Sequence, residues 1–302
     1  MAASGQKPPP RFVTGAAAAP QQPDARTFAA GGNACRPTIL GIGAETGHLC
    51  SAARKLLRCC YCGGRSASVS SSPIVAMFIG GGSHNSVAVE FKDFVTVIEG
   101  PLSNQRTNAV VAEVHKLFPN KPIRYLVNTH NHFDHLGGVR GFVAEGATVI
   151  TDDRNRNFYQ QVVLAPQQRT LQFDRLSQRP FAPTGPGTLE LQTFTDHYTI
   201  SDGNQIIELY HVDGLNHSDN MLIAYLPKEK IVVNADLYGP PPAGGNLANV
   251  SNNAVVLYRN LKRLKLDVST HVPIHGNPGS NADFERIVGP VAARTPQQGD
   301  GG

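Results

Sequence analysis

Residues 128 to 138 read Asn128-Thr129-His130-Asn131-His132-Phe133-Asp134-His135-Leu136-Gly137-Gly138, directly after the apolar run Ile123 to Val127. With 11 His and 14 Asp in 302 residues, an H-x-H-x-D-H spacing arises by chance about once in a thousand such chains. His130 and His132 alternate along an extended segment and so project to one side, where two imidazoles reach one metal ion. Asp134 and His135 follow as the chain turns, offering a carboxylate and a third imidazole to a second ion close by. A polar loop of unrelated histidines is the bland alternative, and the spacing argues against it.

Around this stretch the chain reads as alternating strands and helices. Upstream, Ile74 to Ile79, Ser86 to Phe91 and Phe94 to Ile98 are predicted strands, with Lys92-Asp93 as a tight hairpin turn. Val110, Val111, Val114, Leu117 and Phe118 mark one face of a helix that Pro119 stops. Downstream, a helix is predicted from about Leu136 to Ala144 and a strand from Thr148 to Ile150. Residues Ala165 to Gly187, rich in Pro, Gln and Arg, read as a surface excursion that could act as a lid. Thr199 to Val212, turning at Asp202-Gly203, then Met221 to Leu226, Ile231 to Val233 and Thr270 to Ile274 are further strands. Ala254, Leu257, Tyr258, Leu261 and Leu264 form the stripe of a helix capped by Ser251, and a last helix is expected near Ala282 to Val288. The pattern is α/β.

Charge and cysteine divide the chain at the same place. Residues 1 to 73 hold eight Lys/Arg and two Asp/Glu, and the remaining 229 hold 19 and 21, so the overall +4 belongs to the N-terminal stretch. A body of net −2 without a Lys/Arg-rich arm argues against nucleic acid as a partner. No window has the roughly 18 consecutive apolar residues of a membrane span, so no membrane partner is expected either. All five cysteines, Cys35, Cys50, Cys59, Cys60 and Cys62, precede residue 63, so the body has no thiolate for catalysis or metal binding. Cys59-Cys60-Tyr61-Cys62 contains a C-x-x-C, but Cys35, His48 and Cys50 complete no regular zinc spacing.

Residues 1 to 73 are of low complexity and are expected to be disordered. A disordered tail, an organelle transit peptide and a start site set upstream of Met77 all suit the segment. No secretory signal pattern is present. A cytoplasmic location is slightly favoured, and the compartment and oligomeric state stay open.

The motif resembles the hallmark of the metallo-β-lactamase superfamily, which implies an αββα four-layer sandwich over residues 74 to 290, followed by a flexible tail at 291 to 302. The resemblance extends along the chain. Its third first-site histidine matches His217 in Asp213-Gly214-Leu215-Asn216-His217-Ser218-Asp219-Asn220, its bridging aspartate matches Asp236 after Val232-Val233-Asn234-Ala235, and its final histidine matches His275 in Val272-Pro273-Ile274-His275-Gly276. It therefore implies one zinc ion on His130, His132 and His217, a second on Asp134, His135 and His275, and Asp236 between them. An aspartate in place of the cysteine of the best-known lactamases is similar to glyoxalase II and lactonases. The implied activity is that of a binuclear zinc hydrolase: a metal-bound hydroxide, oriented by Asp134, attacks a small acyl substrate such as a lactone, ester or thioester.

Two alternatives stay open: a β-lactamase of the cysteine-free type, and a persulfide dioxygenase with a single iron. Only 27 residues follow His275, too few for the helical domain of glyoxalase II. Glu99, in Val97-Ile98-Glu99-Gly100, stands where relatives often have a supporting aspartate. Tyr238, two residues past Asp236, is a candidate oxyanion donor by analogy with lactonases, against a packing role. His115, His197, His211 and His271 match no ligand position, and hydrogen-bonding roles are expected for them. His84 also matches none, but Gly81-Gly82-Ser83-His84-Asn85 reads as a flexible hairpin tip of the kind that overhangs the metal site in relatives.

Overall fold

Consecutive strands in the first half of the body are apolar on both faces, a pattern satisfied only by a sheet covered on both sides. Val95, Val97, Leu126 and Val149 face one way, and Phe94, Ile98, Val127 and Ile150 face the other, all of them buried. The computed structural model describes residues 83–164, 174–178, 190–241 and 250–295, together with the backbone of three earlier strands.

The strands of the first sheet are β1 (Leu57–Tyr61), β2 (Arg65–Ser66), β3 (Val75–Phe78), β4 (Ser86–Glu90), β5 (Val95–Ile98), β6 (Ile123–Val127), β7 (Thr148–Asp152) and β8 (Leu191–Phe194). They lie in the order β2-β1-β3-β4-β5-β6-β7-β8, with β5 to β8 parallel. The second sheet is built from β9 (His197–Ser201), β10 (Ile206–His211), β11 (Leu222–Leu226), β12 (Ile231–Asn234), β13 (Thr270–Pro273) and β14 (Gly279–Ser280). Its order is β14-β13-β12-β11-β10-β9, and β12 and β13 are parallel.

Helices α1 (Asn104–Leu117), α2 (Phe133–Leu136) and α3 (Val139–Glu145) follow β5 and β6. After β7 comes α4 (Arg156–Phe158), while α5 (Asn252–Arg263) and α6 (Asn281–Arg294) belong with the second sheet. Val110, Val111 and Val114 of α1 and Val139, Phe142 and Val143 of α3 cover the outer face of the first sheet. Leu257 and Leu261 of α5 and Phe284 and Val288 of α6 share a core with the second sheet. The αββα sandwich is the architecture observed. No helix among the described residues is long and apolar enough to cross a membrane.

Helix ends follow local chemistry. Ser103, Ser251 and Ser280 each accept from the backbone N–H three residues on, capping α1, α5 and α6. The helix expected over Leu136 to Ala144 is instead two, α2 and α3, broken at Gly137-Gly138 because the chain there runs against α1. A Cβ on Gly138 would stand 2.2 Å from Thr107 Oγ1, and one on Gly137 2.2 Å from Leu102 O. Thr107 Oγ1 donates to Gly138 O at 2.7 Å, and Gly138 N donates to Gly100 O at 2.9 Å.

One expectation changes at each end of the body. The strands β1 and β2 fall inside residues 1 to 73, and β1 pairs in parallel with β3 over Leu57↔Val75 to Cys60↔Phe78. The sheet therefore begins before residue 74, because β3 offers an edge that an earlier segment fills. The cysteine side chains, the rest of the N-terminal stretch, most of the expected lid and the tail after 295 lie outside the described residues. Helix α6 runs beyond Val288 through Pro290 to Arg294, with Ala292 buried.

His271 on β13 is wholly buried, packed on Phe284 with ring centroids 4.3 Å apart. Its Nε2 donates to Asn281 Oδ1 at 3.0 Å, and its Nδ1 has no hydrogen-bond partner. Burial pushes this imidazole down to about 4 from its ordinary 6.5. Between those values the unfolded chain takes up a proton that the folded chain refuses, so stability falls as pH drops from 6.5 toward 4. His271→Leu removes that contribution. Urea unfolding at pH 7.0 and 4.5 is expected to show the unsubstituted protein losing about 2 kcal/mol more than the variant.

Candidate metal centre

Parallel strands present their carboxyl ends at one edge, where the connecting segments leave a crevice. The candidate residues gather there. Glu99 follows β5, the motif leaves the end of β6, Asp236 stands two residues beyond β12, and His275 two beyond β13. His217 lies between β10 and β11, and His84 two residues before β4.

Eight side chains converge into two groups whose donor atoms lie within 4.8 Å of one another: His130, His132, His217 and Asp236, and His84, Asp134, His135 and His275. Asp236 sits between them. Its Oδ2 is 3.0 Å from His217 Nε2, 3.2 Å from His135 Nε2 and 3.3 Å from His130 Nε2, while its Oδ1 is 2.8 Å from His275 Nε2. His275 Nε2 and His135 Nε2 are 3.3 Å apart. All seven residues predicted as metal ligands are thus brought together.

A second layer of polar groups orients these rings. Glu99, fully buried, accepts from His135 Nδ1 at 2.7 Å through Oε2, and from Thr129 N at 2.7 Å and Asn128 Nδ2 at 3.1 Å through Oε1. A carboxylate can only accept here, so the His135 proton is fixed on Nδ1 and Nε2 is turned to the cluster. Asn128 also donates to His135 O at 2.9 Å and accepts from the buried Tyr159 hydroxyl. Thr129 Oγ1 lies 3.0 Å from His130 Nδ1. Glu99 and Asp236 both adopt left-handed backbone, with φ of 72° and 57°, a conformation that disfavours non-glycine residues by roughly 1–2 kcal/mol each. Asn253 Nδ2 donates to Asp236 O at 3.0 Å and holds that turn.

Imidazoles and carboxylates in these proportions suit zinc or iron. His130 Nε2 is buried, faces Asp236 Oδ2 at 3.3 Å and makes no well-aligned hydrogen bond. The remaining electrostatics agree. Burial opposes charge on His135, but the Glu99 and Asp236 carboxylates overcome it and push the imidazole up to about 10. Burial also works against the Asp236 carboxylate, yet its contacts with His130, His135 and His275 hold it far below the usual carboxylate range. His132 is lowered by burial and by His130 and His217 beside it.

Two tests follow from this balance. Below pH 10 the metal-free site keeps a proton on His135 that a bound cation displaces. Zinc titrations at pH 7.5 in buffers of different ionisation heat are expected to show about one proton released through this group, and His135→Gln to remove that release. Separately, Glu99→Gln sets an amide in place of a carboxylate against the His135 ring. The loss expected is about 10–100-fold in affinity for the ion that His135 holds, read by chelator competition, with the His130 side unchanged.

Other expectations resolve differently. Tyr238, the candidate oxyanion donor, is packed by its ring. Its ring packs against Phe284 and His271 at 4.6 and 5.3 Å, and its hydroxyl is buried without a hydrogen-bond partner. After the left-handed turn at Asp236 the Tyr238 ring packs into the core while also lining the cavity beside Asp236 and His275. His211 Nδ1 pairs with Asp152 Oδ2 at 2.8 Å, His115 approaches Glu145 at 3.5 Å, and exposed His197 stacks on Tyr210. A cavity of about 270 Å³ is lined by Asp236 and His275 together with Leu237, Tyr238, Val250, Ala254 and Val288.

Several known proteins are similar to this chain. Two curated relatives match, both named linear primary-alkylsulfatase and both from Pseudomonas. One is 24% identical over 229 residues, 65% of this chain and 42% of its own length. The other is 39% identical over 61 residues, 20% of this chain and 9% of its own. The chain thus spans less than half the length of the curated relatives it matches. Among solved structures, a metallo-β-lactamase from Pontibacter korlensis is 20% identical with a TM-score of 0.51, covering 73% of this chain and 94% of that one. The metallo-β-lactamase FIM-1 from Pseudomonas aeruginosa, solved in a mono-zinc form, is 21% identical with a TM-score of 0.48, covering 69% and 84%. The family model of the metallo-β-lactamase superfamily matches residues 79–268, a span that holds the parallel strands β5 to β8 and six of the seven predicted ligands, and the chain belongs to that superfamily.

Proposed function

We propose that this protein is a hydrolase that uses two zinc ions to cleave a small acyl substrate: a lactone, an ester or a thioester. The observation that carries the reading is the placement of Asp236, one carboxylate within 3.3 Å of four imidazoles drawn from both groups of donors. A single group shared in this way suits a pair of ions acting on one substrate. His130, His132 and His217 would hold the first ion, and Asp134, His135 and His275 the second. Zinc in such a centre polarises an acyl carbonyl and makes water nucleophilic near neutral pH.

The chain's own groups do the rest. Asp134 is the more exposed carboxylate, 36% against 16% for Asp236, so it is the one able to orient an incoming water and accept its proton. Glu99 keeps His135 in register while charge in the site changes. The cavity beside Asp236 and His275 has room for a small substrate with an apolar body. The partner proposed is accordingly a small molecule.

A second reading, cleavage of a sulfuric ester, is favoured by the names of the two curated relatives. It uses the same centre on a different leaving group. Steady-state kinetics on matched lactone, thioester and alkyl sulfate substrates separate the two. The acyl compounds are expected to have the higher kcat/KM, and an alkyl sulfate that outruns all of them would establish the second reading instead. Elemental analysis is expected to give two zinc ions per chain, and about one in His217→Ala or Asp236→Ala. Two ions retained in both variants would refute the centre as assigned.

A further inference from the structure

His84 belongs to no ligand position that the motif predicts, yet it is 4% exposed and lies against the second group of donors. Its Nε2 is 3.2 Å from Asp134 Oδ2, and its ring meets those of His275 and His135 edge-on, with centroids 4.0 and 4.9 Å apart. Its other nitrogen is taken, since Nδ1 lies 2.9 Å from Ser83 Oγ. The backbone around it is fixed to both halves of the fold. Asn85 N donates to Ile274 O at 2.7 Å, and Asn85 Nδ2 donates to Pro273 O at 3.0 Å and Gly276 O at 2.7 Å. These bonds clamp His84 to the very turn that carries His275. On the other side, Arg106 Nη2 donates to His84 O at 3.2 Å.

We propose that His84 is a further protein ligand of the second metal site, whose donors become His84, Asp134, His135 and His275 with Asp236 shared. The proposal rests on the two-ion reading above. A role confined to hydrogen bonding would need His84 to be near Asp134 and nothing more. It would not need the His84 nitrogen to lie within 4.8 Å of those of His135 and His275. Three imidazole nitrogens and a carboxylate converge on one point, with the His135 and His275 nitrogens 3.3 Å apart, and that is the donor set a cation fills in place of the protons that otherwise bridge them.

The consequence is an unequal pair of sites. The first has three imidazoles and a shared carboxylate, which matches tetrahedral zinc. The second has five protein donors, more than a tetrahedral ion accepts, and so favours higher coordination numbers.

The test uses the full chain loaded with Zn²⁺ or with Co²⁺ as a spectroscopic probe. Stepwise affinities come from chelator competition for the unsubstituted protein, His84→Ala and His84→Gln. The glutamine variant keeps an amide donor for Asp134 and fills most of the ring's space, which guards against misfolding. Both variants are expected to bind the first ion normally and the second at least a hundredfold more weakly, beyond the range for loss of an outer hydrogen bond. The second Co²⁺ of the unsubstituted protein is expected to show the weak visible bands of five or six ligands, and in His84→Ala the stronger bands of fewer. A second ion held equally tightly in His84→Gln, or an unchanged Co²⁺ spectrum in His84→Ala, overturns the proposal and leaves the two-ion reading intact. One ion only in the unsubstituted protein, untouched by either variant, overturns both.

Discussion

A carboxylate with no exposure to solvent is the contact on which the rest of the centre depends. Burying the charge of Glu99 disfavours the fold by several kcal/mol unless its oxygens are filled, and here they are filled by groups from the motif itself. Thr129 N and Asn128 Nδ2 tie the end of β6 to the end of β5, and His135 Nδ1 sets the ring that reaches both Asp134 and Asp236. Because the partners are consecutive with the motif, neither the first strand pair nor the ligand segment can shift without stranding a charge. The positive φ at Glu99 is the local cost of aiming a long side chain back across its own strand.

Asp236 answers Glu99 from the opposite sheet. One is a buried anion that organises rings from behind, and the other an anion in front that the rings surround. Between them the His135 ring is held at both nitrogens, which fixes the direction in which it can donate. Both carboxylates sit in strained backbone next to the ends of parallel strands, a concentration of strain that marks functional positions.

Much of this was legible in the sequence because it is local or periodic. The H-x-H-x-D-H run and the short apolar runs of β4 to β7 need only neighbours to be read, as does the serine cap of α5. The later predicted ligands, His217, Asp236 and His275, became visible only through family resemblance, since each is a lone residue after a strand. What could not be read depends on distant chain. His84 looked like a hairpin tip because the bonds that bury it come from Pro273, Ile274 and Gly276. Tyr238 looked close to Asp236 because sequence separation hides the left-handed turn that reverses the chain between them. The break between α2 and α3 is dictated by Thr107 and Leu102 on another segment, and β1 depends on a parallel partner that local pattern does not reveal.

The Asn85 clamp also sets the order in which the molecule can mature. Its side-chain bonds span 188 and 191 residues of sequence, so the loop they close is among the longest the described chain allows, and it is formed only when both sheets have docked. The donors on either side of it are therefore scattered in any partly folded chain and meet only in the finished one. A metal ion that needs all of them binds the native state and not its precursors. Such an ion would act as a thermodynamic lock applied after folding, adding stability that grows with the logarithm of free metal concentration.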